Sequence, residues 1–153
     1  MKLQLIVSVC LLGLVTLSGC SEGKEDASEE RLKSMAGGVL KEVVPVKGVV
    51  NVDDLPTQGV NLYLYREGDL STWIKECRTD AGGRYCWSTN LSCDGLELGK
   101  YLVAFTYIPK PKKNDEGVDL FEGKYQNPQA NEFPLTVEKG TPQEAVNYDL
   151  KSN

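Results

Sequence analysis

From Val46 onward the chain alternates apolar and polar residues, and turn-forming residues return roughly every 8–15 positions. A period of two places successive side chains on opposite faces of a strand, so such a chain buries one face of each strand against a second sheet. The runs at 46–52, 59–66, 72–79, 84–89, 99–108, 133–138 and 145–150 are the strands this pattern predicts. Val60, Leu62 and Leu64 share one face, as do Tyr101, Val103 and Phe105, and as do Val146, Tyr148 and Leu150. With Tyr85 and Trp87 these form the expected core, each large aromatic burying its body and holding its polar tip near a partner. No long amphipathic helix and no internal repeat interrupts the pattern. The fold class is therefore all-β, a single antiparallel β-sandwich of about seven strands.

Composition removes several functions. The 153 residues include no histidine, 17 Lys+Arg and 22 Asp+Glu, for a formal net charge of −5. A Ser-His-Asp triad, a Cys-His pair and any histidine-ligated metal site cannot be built from this chain alone. The negative balance argues against nucleic acid as a partner, because phosphate contacts need clustered Lys and Arg. No phosphate loop, dinucleotide-binding glycine motif or nucleophile elbow is present, and no cofactor is expected. Asp53-Asp54 and Asp94-Gly95 lack the oxygen-ligand spacing of a calcium loop, so no metal is expected either.

The first residues have a separate role. Lys2 precedes an apolar stretch at 3–17 that is shorter than the ~20 residues a membrane-crossing helix needs, which reads as a signal peptide over 1–19. It ends in Leu17-Ser18-Gly19-Cys20, which resembles a bacterial lipobox. That resemblance implies that Cys20 is lipidated and becomes the new N-terminus. Two or more acyl chains hold a protein on a membrane for long times, so the membrane partner is reached through Cys20, anchored and not spanning. Ser21 is not the aspartate that some bacteria read as inner-membrane retention. The expected location is the cell envelope, on the outer membrane facing the periplasm or the exterior.

Residues 20–42 begin with the lipidated cysteine and continue as an acidic, flexible tether, SEGKEDASEERLK, with Leu32 as its only large apolar residue. Such a stretch buries too little surface to offset its ordering entropy. One short helix over 28–35, ended by Gly37-Gly38, is compatible with it. The folded domain then spans 43–153, long enough for one core without a metal.

Within that domain, four groups of residues occur in a recognisable order: Lys47-Gly48-Val49-Val50, Leu55-Pro56-Thr57-Gln58-Gly59-Val60-Asn61-Leu62, Thr79-Asp80-Ala81-Gly82-Gly83-Arg84-Tyr85 and Leu98-Gly99-Lys100-Tyr101-Leu102-Val103. Together they resemble the carboxypeptidase regulatory-like domain, a transthyretin-like sandwich. Gly123-Lys124-Tyr125-Gln126-Asn127-Pro128, Leu135-Thr136-Val137-Glu138-Lys139-Gly140 and Tyr148-Asp149-Leu150 resemble the lipoprotein version found in planctomycete-type bacteria. The resemblance implies a non-enzymatic accessory role such as adhesion, or contact with carbohydrate or protein. Transthyretin-like hydrolases of ureide substrates depend on histidines, which this chain lacks. Cys77, Cys86 and Cys93 depart from the pattern and point to a local elaboration.

Outside the cytoplasm those three cysteines permit one disulfide and one free thiol. The turn at 79–84 reads as a hairpin, and symmetric pairing across it sets Cys77 opposite Cys86, which favours Cys77–Cys86. Cys86–Cys93, and no disulfide or another pairing, are the alternatives. The gaps between them lack a Cys-x-x-Cys clamp, which disfavours a thiolate metal site. In that turn Asp80 is placed to accept backbone N–H bonds.

If Val60, Leu62 and Leu64 point inward, Asn61, Tyr63 and Tyr65 point outward. Two outward tyrosines form a platform on which a sugar ring can stack, with Trp73 a further member of undecided direction. The alternative is that the long connection at 109–131 covers them. Lys110, Lys112 and Lys113 in that connection form a solvated run that could meet a carboxylate-bearing polymer. The expected function is a lipid-anchored, non-enzymatic envelope module. Its role is binding or structural and the sequence names no ligand; the alternatives are a carbohydrate-binding lipoprotein that uses the outward aromatics, and a subunit of an envelope protein assembly that pairs through a sheet edge.

Overall fold

The computed structural model describes residues 27–35, 37–109, 117–130 and 133–152, with side chains from Glu30 onward. The expected signal peptide, Cys20 and the lysine run at 110–116 lie outside the described residues. One helix, α1 (Ala27–Met35), precedes eight strands: β1 (Lys47–Val52), β2 (Leu55–Pro56), β3 (Val60–Arg66), β4 (Lys75–Arg78), β5 (Arg84–Cys86), β6 (Gly99–Tyr107), β7 (Pro134–Val137) and β8 (Tyr148–Leu150). Gly37 and Gly38, at φ 79° and 98°, follow the helix, and the Gly38 N–H closes it by donating to the Lys33 carbonyl at 2.7 Å.

The strands form a sandwich of two sheets. One has the order β4-β3-β6-β7, antiparallel throughout. The other is built on β1, whose successive residues bond to opposite sides. Val46 and Val50 exchange bonds with Trp87, Gly83 and Thr57, the side of β5 and β2. Lys47 and Val49 bond to Gln143, Val146 and Asn147, the side that leads into β8. β8 runs parallel to β1, with Val50 beside Tyr148 and Val52 beside Leu150, so the sandwich is antiparallel except for this pair. The reason is connectivity. The chain reaches β8 by a crossover from β7 in the opposite sheet, so no hairpin dictates its direction.

The core lies between the sheets. Val60, Leu62 and Leu64 from β3 and Val103 and Phe105 from β6 are fully enclosed, facing Val50, Trp87 and Leu150 across the sandwich. Each such side chain contributes about 1.5–3 kcal/mol of burial. Val146 is only half-buried at its margin. Tyr85 holds its hydroxyl on the Val146 carbonyl at 2.7 Å, as a buried phenol requires. Among the described residues the Trp87 indole N–H has no hydrogen-bond partner, contrary to the expectation of a satisfied tip.

The turn at 79–84 is the main topological correction. Asp80 accepts the Gly82 and Arg84 N–H groups at 2.8 and 3.0 Å, as its position predicts. The turn does not fold back as a hairpin, however. It carries the chain from β4 in one sheet to β5 in the other, so Cys77 pairs with Leu62 and Cys86 with Lys47. The expected Cys77–Cys86 disulfide is therefore not formed. Cys86 is bonded to Cys93, with Cα atoms 5.2 Å apart, and Cys77 is a free thiol packed against the core. Burial, with the Glu76 charge beside it, pushes that thiol up to about 12.

Candidate aromatic binding groove

The outer face of the β4-β3-β6-β7 sheet carries the outward residues of the period-two pattern. On β3 these are Asn61, Tyr63 and Tyr65, each half-buried. Across the strand pairs Tyr63 stands opposite Glu76 on β4 and Ala104 on β6, and Asn61 stands opposite Thr106. Ala104 and Thr106 are buried although they face outward, because the larger side chains of β3 close over them. The Thr106 hydroxyl is 3.3 Å from both the Asn61 amide and the Tyr63 hydroxyl, which fixes the Tyr63 ring by its tip.

Trp73 supplies a second wall. It lies in the bend before β4, where Asp69 accepts the Ser71 N–H and hydroxyl and the Ile74 N–H donates to the Leu64 carbonyl at 2.8 Å. These contacts bring its indole edge-on to Tyr63, with centroids 5.4 Å apart and planes at 62°, and leave it 50% exposed. Tyr63, Tyr65, Trp73, Glu76, Thr106 and Gln126 together line an open groove of about 350 Å³. Burial, then the neighbouring Tyr63, raises the Tyr65 phenol above its ordinary value, so Tyr65 is a neutral hydrogen-bonding group near pH 7.

The described part of the long connection contributes one wall residue, Gln126, to the groove. Asp119 gathers that segment by accepting the Tyr107, Phe121 and Gly123 N–H groups at 2.8–3.2 Å, while Phe121 drops fully into the core. The same carboxylate takes the Gln126 side-chain amide at 3.1 Å and so holds Gln126 at the groove. Glu76, Thr106 and Gln126 were not singled out by the sequence reading. Glu76 and Thr106 could have been found by carrying the outward register of β3 across to its neighbours. Nothing local marks Gln126, which depends on the fold of an irregular segment.

A second depression of about 400 Å³ lies beside the disulfide, lined by Pro45, Lys47, Arg78, Arg84, Cys86 and Cys93 among others. Its cations are already engaged: Lys47 with Glu144 at 2.9 Å, Arg84 with Asp80 at 2.9 Å, and Arg78 with the Gly59 carbonyl at 3.2 Å. It is the weaker site for a charged ligand. Among the described residues no group of His, Cys, Asp and Glu could hold a metal ion. No helix among them is long and apolar enough to cross a membrane. No protein-family model matches the chain, and no curated protein matches it.

Proposed function

We propose that this protein is a lipid-anchored, non-enzymatic module of the cell envelope that binds a glycan through the Tyr63–Tyr65–Trp73 groove. The observation that carries the reading is the groove itself: two half-buried tyrosines and an exposed tryptophan, held by cross-strand pairing and an edge-to-face contact, lining one open space beside polar groups on the sheet face. Sugar rings present apolar C–H faces and a polar rim, and such a surface matches both. The sandwich is of the transthyretin-like, carboxypeptidase regulatory-like kind in this reading, supported by the order of its glycine-turn motifs along the chain. Lipidation at Cys20 would anchor it at the outer membrane, and α1 with the acidic residues before it would space the domain from the lipid surface.

Saturable binding to a panel of envelope and environmental polysaccharides, measured with protein purified from membranes in mild detergent, tests the groove. Loss of that binding in Tyr63→Ala/Tyr65→Ala supports the reading. Binding unchanged in the variant, or no binding to any glycan, overturns it and turns the search to protein partners by crosslinking in cells. Cys20→Ala tests the anchor separately: an unprocessed precursor without acyl label is the expected product, and normal acyl labelling would contradict it.

A further inference from the structure

We infer that the glycan taken by this groove carries an unacetylated amino sugar, whose ammonium sits between the aromatic rings and the Glu76 carboxylate. The inference rests on the glycan reading above and adds to it the charge of the ligand. Tyr63 and Trp73 stand at 62° to one another and Tyr65 follows two residues along the same face, so the groove offers more than one π face to a single ligand. The negative faces of aromatic rings attract a cation, and amine recognition by several rings is a recurring use of that attraction. A flat sugar platform needs no charge. This groove has one, because Glu76 lies directly across the strand pair from Tyr63 and lines the same space.

The Glu76 carboxylate has no ion pair and no side-chain hydrogen bond among the described residues. The basic residues of β3 and β4 are directed elsewhere. Lys75 stands opposite Leu64, on the other face of the sheet. Arg78 donates to the Gly59 carbonyl, and Arg66 lies over the Tyr101 ring at 5.8 Å. None of the three lines the groove. An unpaired carboxylate beside partly exposed rings gains from an ammonium what it cannot gain from a neutral hydroxyl, since an ionised partner makes the stronger hydrogen bond. The net charge of −5 draws a cationic ligand toward the protein as a whole.

Calorimetric titration of the detergent-solubilised protein with glucosamine oligosaccharides and with N-acetylglucosamine oligosaccharides of matched length tests the inference. The amine-bearing oligomer should bind more tightly. Glu76→Gln, isosteric and on the surface, should weaken that binding about fivefold or more. Glu138→Gln, an exposed change away from the groove, should leave it unchanged. Equal loss in both variants would mean general attraction of a polycation to an acidic protein, and the inference fails. Equal affinity for the two oligomers, or binding of another polysaccharide but neither of these, overturns the amine and leaves the glycan reading standing. If no polysaccharide binds, both fall.

Discussion

Trp73 meets Tyr63 edge to face, ring centroids 5.4 Å apart and planes at 62°, with half of the indole surface open to solvent. The other tryptophan, Trp87, is fully enclosed between the sheets. The two indoles therefore report on different parts of the molecule. Acrylamide should quench the Trp73 share of the emission and spare the Trp87 share, and a saturating groove ligand should protect the first. Trp73→Phe should leave an emission that acrylamide barely touches. Strong quenching in that variant would mean that the core indole is reachable and the sandwich is not closed as described.

The cysteines give a chemical test of sheet assignment. Cys86 and Cys93 fall in one tryptic peptide, between Arg84 and Lys100, while Cys77 falls in another between Lys75 and Arg78. Without reduction, the first peptide should run two hydrogens lighter than its reduced form, and of these three cysteines only Cys77 should be alkylated after unfolding. In the native state Cys77 should resist thiol reagents, because burial holds its pKa up to about 12 and the thiolate is the reactive form. Closing this short loop constrains the unfolded chain by about 2–3 kcal/mol, so Cys86→Ser/Cys93→Ser should lose stability of that order in urea titrations. A peptide linking Cys77 to Cys86 would instead return β4 and β5 to one hairpin.

Acid stability should depend on Asp94. Burial raises its pKa, but the Thr89, Asn90 and Leu91 N–H groups, at 2.7–3.0 Å, outweigh that and leave it below its ordinary value of 3.8. Asp80 is lowered chiefly by the Arg84 N–H, Asp53 by the Ser152 hydroxyl and Asp69 by the Ser71 hydroxyl. A carboxylate whose pKa is lower folded than unfolded stabilises the fold above the unfolded value and loses that contribution as pH falls through the folded one. The unfolding midpoint should therefore hold above about pH 5 and decline below 3.8. Asp94→Ala, which strands three N–H donors, should cost about 1–2 kcal/mol near neutral pH and flatten the acid decline. A variant with the full acid dependence would remove Asp94 from this role.

What could be read ahead of the structure follows from where side chains alternate. Val60, Leu62 and Leu64 face inward and Tyr63 and Tyr65 outward because strand geometry leaves no other choice once one face is apolar. Alternation is silent on partners, however. It does not distinguish a turn that folds back from one that crosses between sheets, so the same Asp80 turn was legible in its hydrogen bonds and misread in its destination. The direction of β8 was hidden for a similar reason, since a distant crossover and not a tight turn sets it. Phe121 and Asp119 lie in an irregular stretch with no period, so neither the buried ring nor the carboxylate that brings Gln126 to the groove had a sequence signal. The platform was visible as two tyrosines; its acidic wall depended on the β3–β4 register.

The placement of the C-terminal segment against β1 can be tested at a single glycine. Gly48 lies within β1 where the carbonyl of Val146 comes against its Cα, and a Cβ built there overlaps that carbonyl. The obstacle is backbone, not the end of a flexible side chain, so it cannot move without disturbing the Val146 N–H bond to the Lys47 carbonyl and the Tyr85 hydroxyl that the Val146 carbonyl accepts. Overpacking of this kind costs about 1–3 kcal/mol. Gly48→Ala should lower the urea midpoint accordingly. Gly82→Ala is the comparison, because a Cβ there meets only the Arg84 and Asp80 side chains at 3.4 Å, an ordinary contact. Its effect should stay within about 0.5 kcal/mol. Equal midpoints for the two variants would show that the C-terminal segment does not lie against β1, and the parallel pairing of β8 would have to be abandoned with it.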